Sequence, residues 1–102
     1  MDETQRRVAE FVEAHDLETP PEYGLLDLVS EVGELAKDAN ETTDYGASPD
    51  ELSIESDELG DALFALLAVA DALEIDADAA LEEALEKYER RLDERGAPGS
   101  GE

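Results

Sequence analysis

The chain has 102 residues, of which 30 are Asp or Glu and seven are Lys or Arg, and its formal net charge is −23. This charge argues against a nucleic-acid polymer or an anionic membrane as a partner, because both recruit basic side chains. The absence of cysteine excludes disulfides, thiolate zinc sites and a cysteine nucleophile.

Apolar residues make up 41% of the chain and recur at regular intervals, which favours a folded protein over a disordered acidic one. We predict a single domain over residues 1–95 and a flexible tail at 96–102. A carboxylate-rich surface suits a salt-rich cytoplasm, where ions screen the repulsion, so we expect a halophilic source. No secretion signal or membrane-spanning run is evident, and we expect a cytoplasmic location.

Four helices are predicted in chain order, and no segment has the alternating pattern of a strand. Asp2 and Gln5, three residues apart, predict a capped first helix that ends near His15. The segment Thr19-Pro20-Pro21-Glu22 predicts the start of a second helix, with Thr19 as its N-cap. This helix is expected to end near Thr43.

The segment Ser48-Pro49-Asp50-Glu51 repeats the start signal and predicts a third helix that ends near Leu73. Its beginning, residues 52–56, is the least helix-prone part. Asp76 is positioned to cap a fourth helix. The predicted inner positions of that helix are Leu81, Ala84, Leu85, Tyr88 and Leu92.

The third helix contains nine consecutive residues without a polar side chain, from Ala62 to Ala70. A helix that is apolar on every side is buried on every side, and a chain of this length is too small to surround it. We therefore expect a second copy to cover the helix, in a dimer or a dimer of dimers.

Two acidic pairs of the same form, Glu31-Val-Gly-Glu34 and Glu58-Leu-Gly-Asp61, lie within the second and third predicted helices. Residues three apart on a helix project to nearly the same side, so each pair offers two carboxylates in one direction. Four carboxylates beside a dry core need compensation, and oxygen ligands favour Mg²⁺, Mn²⁺ or Ca²⁺. Asp27 and Asp38 extend the acidic stripe but are equally explained as surface charges.

These strings, Glu31-Val-Gly-Glu-Leu-Ala-Lys37 and Glu58-Leu-Gly-Asp-Ala-Leu-Phe64, resemble the MazG-type nucleoside triphosphate pyrophosphohydrolases over about residues 19–91. The resemblance implies an all-α, four-helix MazG-like bundle completed by oligomerisation as a homodimer or homotetramer. It also implies Mg²⁺-dependent hydrolysis of a nucleoside triphosphate to the monophosphate and pyrophosphate, with Mn²⁺ as the other candidate ion. The implied metal ligands and catalytic carboxylates are Glu31, Glu34, Glu58 and Asp61.

Phosphate contacts are predicted for Lys37, Lys87 and Arg91, although each can instead pair with a neighbouring glutamate and stay solvated. Arg90 is a weaker candidate of the same kind. For the nucleobase, Tyr23 is the predicted stacking residue, with Phe11 and Tyr45 as alternatives. The core is the better interpretation for Phe11.

Two rival functions stay open. Phosphoribosyl-ATP pyrophosphohydrolase shares the implied fold, but the Lys-x-Gly-Glu-Glu string associated with that enzyme is absent. The other rival is a non-catalytic helical oligomer that binds a protein partner, in which the carboxylates serve only solubility.

Overall fold

The computed structural model describes residues 2–95, and within them the chain is all-helical without a strand, as the sequence predicts. The four helices are α1 (Glu3–Ala14), α2 (Pro21–Thr42), α3 (Ser56–Ala72) and α4 (Ala77–Arg95). None of these helices is long and apolar enough to cross a membrane. The predicted tail at 96–102 lies outside the described residues.

The first helix is capped as predicted, and it is also hydrogen-bonded to the turn between α3 and α4. The Gln5 backbone N–H donates to the Asp2 carboxylate at 2.9 Å. The Gln5 side chain is fully buried, donates from Nε2 to the Ile75 carbonyl at 2.8 Å and accepts the Ala77 N–H at 2.7 Å. One glutamine therefore joins α1 to the turn between α3 and α4.

Both Pro-containing start signals require a correction. At α2 the N-cap is Pro20 rather than Thr19, and no side chain caps the helix. The second signal forms a single 3-10 turn, Pro49–Glu51, and α3 begins later, at Ser56. Of the stretch predicted to be least regular, residues 52–56, the first four residues are not helical, and Ser56 is the first residue of α3. The start of α4 is correct, because the Asp76 carboxylate accepts the Asp78 N–H at 3.0 Å.

Helices α1, α2 and α3 end in the same way, with a non-glycine residue at positive φ. These residues are Asp16, Asp44 and Glu74. The next backbone N–H returns to a carbonyl five residues earlier, as in the 2.8 Å bond from Ile75 to Ala70. This pattern satisfies carbonyls that the helix leaves unpaired.

The core lies where α3 packs against α2 and α1. The contact with α2 is antiparallel, because Gly24 near the start of α2 meets Val69 near the end of α3, whereas Asp38 meets Glu58 at the other end. On the α1 side, the Phe11 and Phe64 rings meet edge to face with centroids 5.8 Å apart. The buried apolar residues are Val8, Ala62, Ala65, Leu67 and Val69.

Much of the apolar surface is uncovered in a single chain. Helix α4 makes no extensive contact with another helix. Its predicted inner residues Leu81, Leu85, Tyr88 and Leu92 are consequently exposed, so a single chain does not bury them as the sequence pattern predicts. Phe11 is predicted to belong to the core but is 50% exposed, although its ring meets those of Phe64 and His15. On α3, Leu63 and Leu66 are about half exposed as well.

Candidate active site

The antiparallel packing of α2 and α3 pairs the predicted carboxylates across the two helices. Glu34 is an electrostatic neighbour of Glu58. One turn further along, Glu31 and Asp61 line the same cavity. The acidic pairs read from the sequence lie within single helices, whereas the structure forms its pairs between helices.

The cavity beside Glu31 and Asp61 lies between α1, α2, α3 and the connector after α1, and has a volume of about 530 Å³. This is within the usual range of small-molecule sites. Its apolar wall combines small residues of α3 with larger side chains such as Val12, Leu17 and Phe64. The polar residues that line it are Glu18, Thr19, Asp27, Ser30, Glu31, Asp61 and Asp71.

At the other pair, the Glu58 carboxyl shares a hydrogen bond with the Asp38 carboxyl. This hydrogen bond, partial burial and the negative charges of Asp38, Asp57 and Glu34 raise the pKa of Glu58 from 4.5 to about 7. A hydrogen bond between two carboxyls requires that one of them keeps its proton. The Glu58 Oε2 atom is buried and has no hydrogen-bond partner within residues 2–95.

The four predicted carboxylates have the chemistry of divalent-cation ligands, but they are not arranged as a complete metal site. All donors are carboxylate oxygens, which Mg²⁺ and Mn²⁺ prefer, and the buried Glu58 Oε2 atom lacks a partner. Within residues 2–95, however, no three His, Asp or Glu side chains are arranged to hold a metal ion. Glu34 neighbours Glu58 and Glu31 shares a cavity with Asp61, but the four carboxylates do not converge on a common point.

A shallower groove of about 600 Å³ runs along the other side of Asp61, between α1 and α3. Thr4, Arg7 and Phe11 line it from α1, and Asp57 and Gly60 line it from α3. Asp61 and Phe64 line both the groove and the cavity. The groove and the cavity are therefore adjacent sites that share one predicted metal ligand.

The predicted substrate contacts are not brought to either site. Lys37, Lys87, Arg91 and Tyr23 line neither the cavity nor the groove. Lys87 lies on the unpacked helix α4 with its Nζ atom 5.3 Å from the centroid of the Tyr88 ring. Tyr23 is exposed on α2.

The structure adds two residues that sequence reasoning did not select. Asp38, which the sequence places on the acidic stripe of α2, contacts Glu58 directly. Its signal was the four-residue spacing from Glu34, which a chain this acidic shows in many places. Arg7 lines the groove next to Asp61, and its sequence context, beside Arg6 on an amphipathic helix, carries no signal.

Comparison with known proteins gives one family. The profile of the MazG nucleotide pyrophosphohydrolase domain matches residues 20–96, about three quarters of the chain. No curated protein and no solved structure matched the chain. The matched range contains α2, α3 and α4, and with them both acidic pairs.

Proposed function

The chain belongs to the MazG nucleotide pyrophosphohydrolase family, and from that premise we propose that it hydrolyses a nucleoside triphosphate to the monophosphate and pyrophosphate. The observation that carries the proposal is the pairing of Glu31 with Asp61 and of Glu34 with Glu58 across two helices, next to a cavity of about 530 Å³. A catalytic site needs reactive groups and a concave binding surface in one place, and the α2–α3 pair provides both.

We assign Glu31, Glu34, Glu58 and Asp61 as the residues that hold Mg²⁺, or Mn²⁺ in its place. The ion supplies two effects when bound: it lowers the pKa of water and offsets the charge of the phosphates. The need for it follows from the protein's own charge of −23, which repels a triphosphate.

The remaining chemistry belongs to side chains of the chain. A carboxylate of the set accepts the proton of the attacking water. The apolar wall of the cavity holds the nucleoside and excludes water from one side of the reacting phosphate. Glu31 and Asp61 line this cavity, so a nucleotide bound there has its phosphates beside the acidic pairs.

We also propose that the active form is a homodimer or homotetramer. The exposed apolar stripe of α4 and the half-exposed leucines of α3 support this, because a second copy of the chain would bury them. Docking of α4 from a neighbouring copy onto the α2–α3 pair would also bring Lys87 and Arg91 towards the carboxylates. In that arrangement the predicted phosphate contacts come from another subunit.

The test is turnover by the purified protein in concentrated KCl with Mg²⁺ and a panel of nucleoside triphosphates, with the products separated by chromatography. We expect monophosphate and pyrophosphate in equal amounts. Glu58→Gln should abolish turnover, whereas Glu82→Gln on α4 should leave it unchanged. Full activity of Glu58→Gln would contradict the ligand assignment.

The same assay separates the rivals. Pyrophosphate release from phosphoribosyl-ATP alone would favour the sibling enzyme. Release from no nucleotide, together with an assembly that is indifferent to divalent ions, would favour the non-catalytic oligomer.

A further inference from the structure

We propose that Arg7 binds the β- and γ-phosphates of the substrate, so that the nucleoside occupies the cavity and the triphosphate crosses Asp61 into the groove along α1. The inference rests on the proposed function and assigns a direction to the substrate within the site.

The first step is that the cavity and the groove are continuous. Asp61 and Phe64 line both. On α3 the other residues of the cavity, such as Ala65 and Val69, lie on one side of these two, and the groove residues Gly60 and Leu67 lie on the other. An extended ligand can therefore lie across Asp61 with one end in each site.

The second step is that charge distinguishes the two ends. Among the described residues, no basic side chain lines the cavity, whereas five carboxylates do: Glu18, Asp27, Glu31, Asp61 and Asp71. The groove contains the guanidinium of Arg7, with Asp57 and Asp61 as its only carboxylates. Of the described residues that line the two sites, Arg7 in the groove is therefore the one positive donor for a phosphate that extends past Asp61.

The third step concerns Arg7 itself. Within the described part of the chain its guanidinium forms no ion pair or hydrogen bond, although two carboxylates line the same groove. Arginine presents planar paired donors that match phosphate oxygens. The first turn of α3 also borders the groove, and its N-cap Glu55 makes no side-chain capping bond. The positive end of the helix dipole adds to the attraction for an anion.

The competing explanation is that Arg7 is a solvated surface residue whose charge merely offsets Asp57 and Asp61. Such a role would change stability but would not discriminate between the two products. Pyrophosphate carries the two phosphates assigned to the groove, whereas the monophosphate carries the nucleoside assigned to the cavity. Product inhibition therefore separates the two explanations.

The experiment compares Arg7→Gln, Arg7→Lys and the matched control Arg6→Gln, which removes the same charge from the neighbouring position outside the groove. We expect Arg7→Gln to raise KM for the triphosphate about tenfold or more, since it removes charge-assisted hydrogen bonds to the phosphates. Inhibition by pyrophosphate should weaken by a similar factor, and inhibition by the monophosphate should not change. Arg7→Lys should recover part of the loss, and Arg6→Gln should show none of it.

Equal weakening of both products, or no change in either, would overturn the inference. Absence of turnover in the wild type would instead overturn the proposed function. In that case calorimetry with Mg²⁺ and pyrophosphate still tests Arg7: weaker binding to Arg7→Gln than to Arg6→Gln supports the contact, and equal binding refutes it. Thermal unfolding of each variant shows whether it is folded.

Discussion

At the scale of single residues, Glu58 stands out among the described acidic groups because its pKa is strongly raised. The hydrogen bond to Asp38, partial burial and nearby acidic groups raise its pKa to about 7, so the folded chain retains a proton that the unfolded chain loses near pH 4.5. The folded state binds more protons between these two values, and the contribution of Glu58 to stability therefore falls as pH rises through this window.

Glu58→Gln removes this titration but keeps an uncharged partner for Asp38. In EDTA we expect the variant and the wild type to have similar Tm at about pH 5, and the variant to have the higher Tm at about pH 8. Differential scanning fluorimetry across this range measures the difference. The control Glu82→Gln, at an exposed position of α4, should follow the wild type. A Glu58→Gln curve parallel to the wild type would contradict the raised pKa.

Gln5 stabilises the fold through two hydrogen bonds between its side chain and the backbone. Its side chain is 1% exposed and pairs with the Ile75 carbonyl and the Ala77 N–H, two backbone groups at the α3–α4 turn. Gln5→Leu removes the side-chain partner of both groups, which costs up to about 1–3 kcal/mol for each of these part-buried hydrogen bonds. We expect a corresponding loss in the free energy of unfolding by chemical denaturation. Thr4→Ala, at an exposed neighbouring position, should change it by less than about 0.5 kcal/mol.

At the scale of helices, the glycines of α2 have different roles. A Cβ atom added at Gly24 would lie 2.9 Å from Cγ2 of Val69, a stiff and buried side chain, whereas one added at Gly33 would meet nothing within 4 Å. Gly24 therefore allows the close approach of α2 and α3 that pairs the carboxylates. Gly33 has no such packing role in a single chain.

Gly24→Ala should destabilise the fold by about 1–3 kcal/mol, because overpacking exceeds the gain in helix propensity. Gly33→Ala should instead stabilise it by about 0.5–1 kcal/mol. Unfolding in guanidinium chloride measures both. Adding Val69→Ala to Gly24→Ala removes the clashing methyl group, so the double variant should lose less than the sum of the two single losses. If the losses in unfolding free energy of the two single variants simply add, the Gly24–Val69 contact does not limit how closely α2 and α3 approach.

At the scale of the whole molecule, a single chain is more open than a compact domain of the same length. Its Cα radius of gyration is 16.5 Å, whereas a compact chain of this length has about 13 Å. Leu26 and Val29 on α2 are 65% and 69% exposed, and the stripe of α4 is uncovered. Apolar surface of this extent marks an interface, and a further copy of the chain is the partner that we propose.

Light scattering in concentrated KCl should give the mass of a dimer or tetramer for the wild type. Leu85→Glu places a charge within the stripe of α4 and should lower the mass, because burial of an unpaired carboxylate opposes assembly. Ala79→Glu adds the same charge on the opposite side of α4 and should leave the mass unchanged. A monomeric wild type would refute the oligomer.

The sequence by itself determined the helical class, both helix ends of α1, the Asp76 cap and the family, because these depend on periodicity, capping residues and short strings around each acidic pair. Local sequence signals did not place every helix start correctly. Thr19 and Ser48 have suitable spacing for helix starts, but no side-chain capping hydrogen bond forms at α2 or at the 3-10 turn, and α3 begins eight residues after Ser48.

Only the tertiary structure decided which carboxylates face one another, since Glu34 reaches Glu58 and Glu31 reaches the cavity of Asp61 through the antiparallel contact at Gly24 and Val69. It also brought Arg7 beside Asp61 and buried Gln5 at a turn 70 residues away along the chain. Such contacts join distant segments, and no pattern within either segment encodes them. The physical reason is that helix formation depends on neighbours in sequence, whereas a site depends on how helices pack.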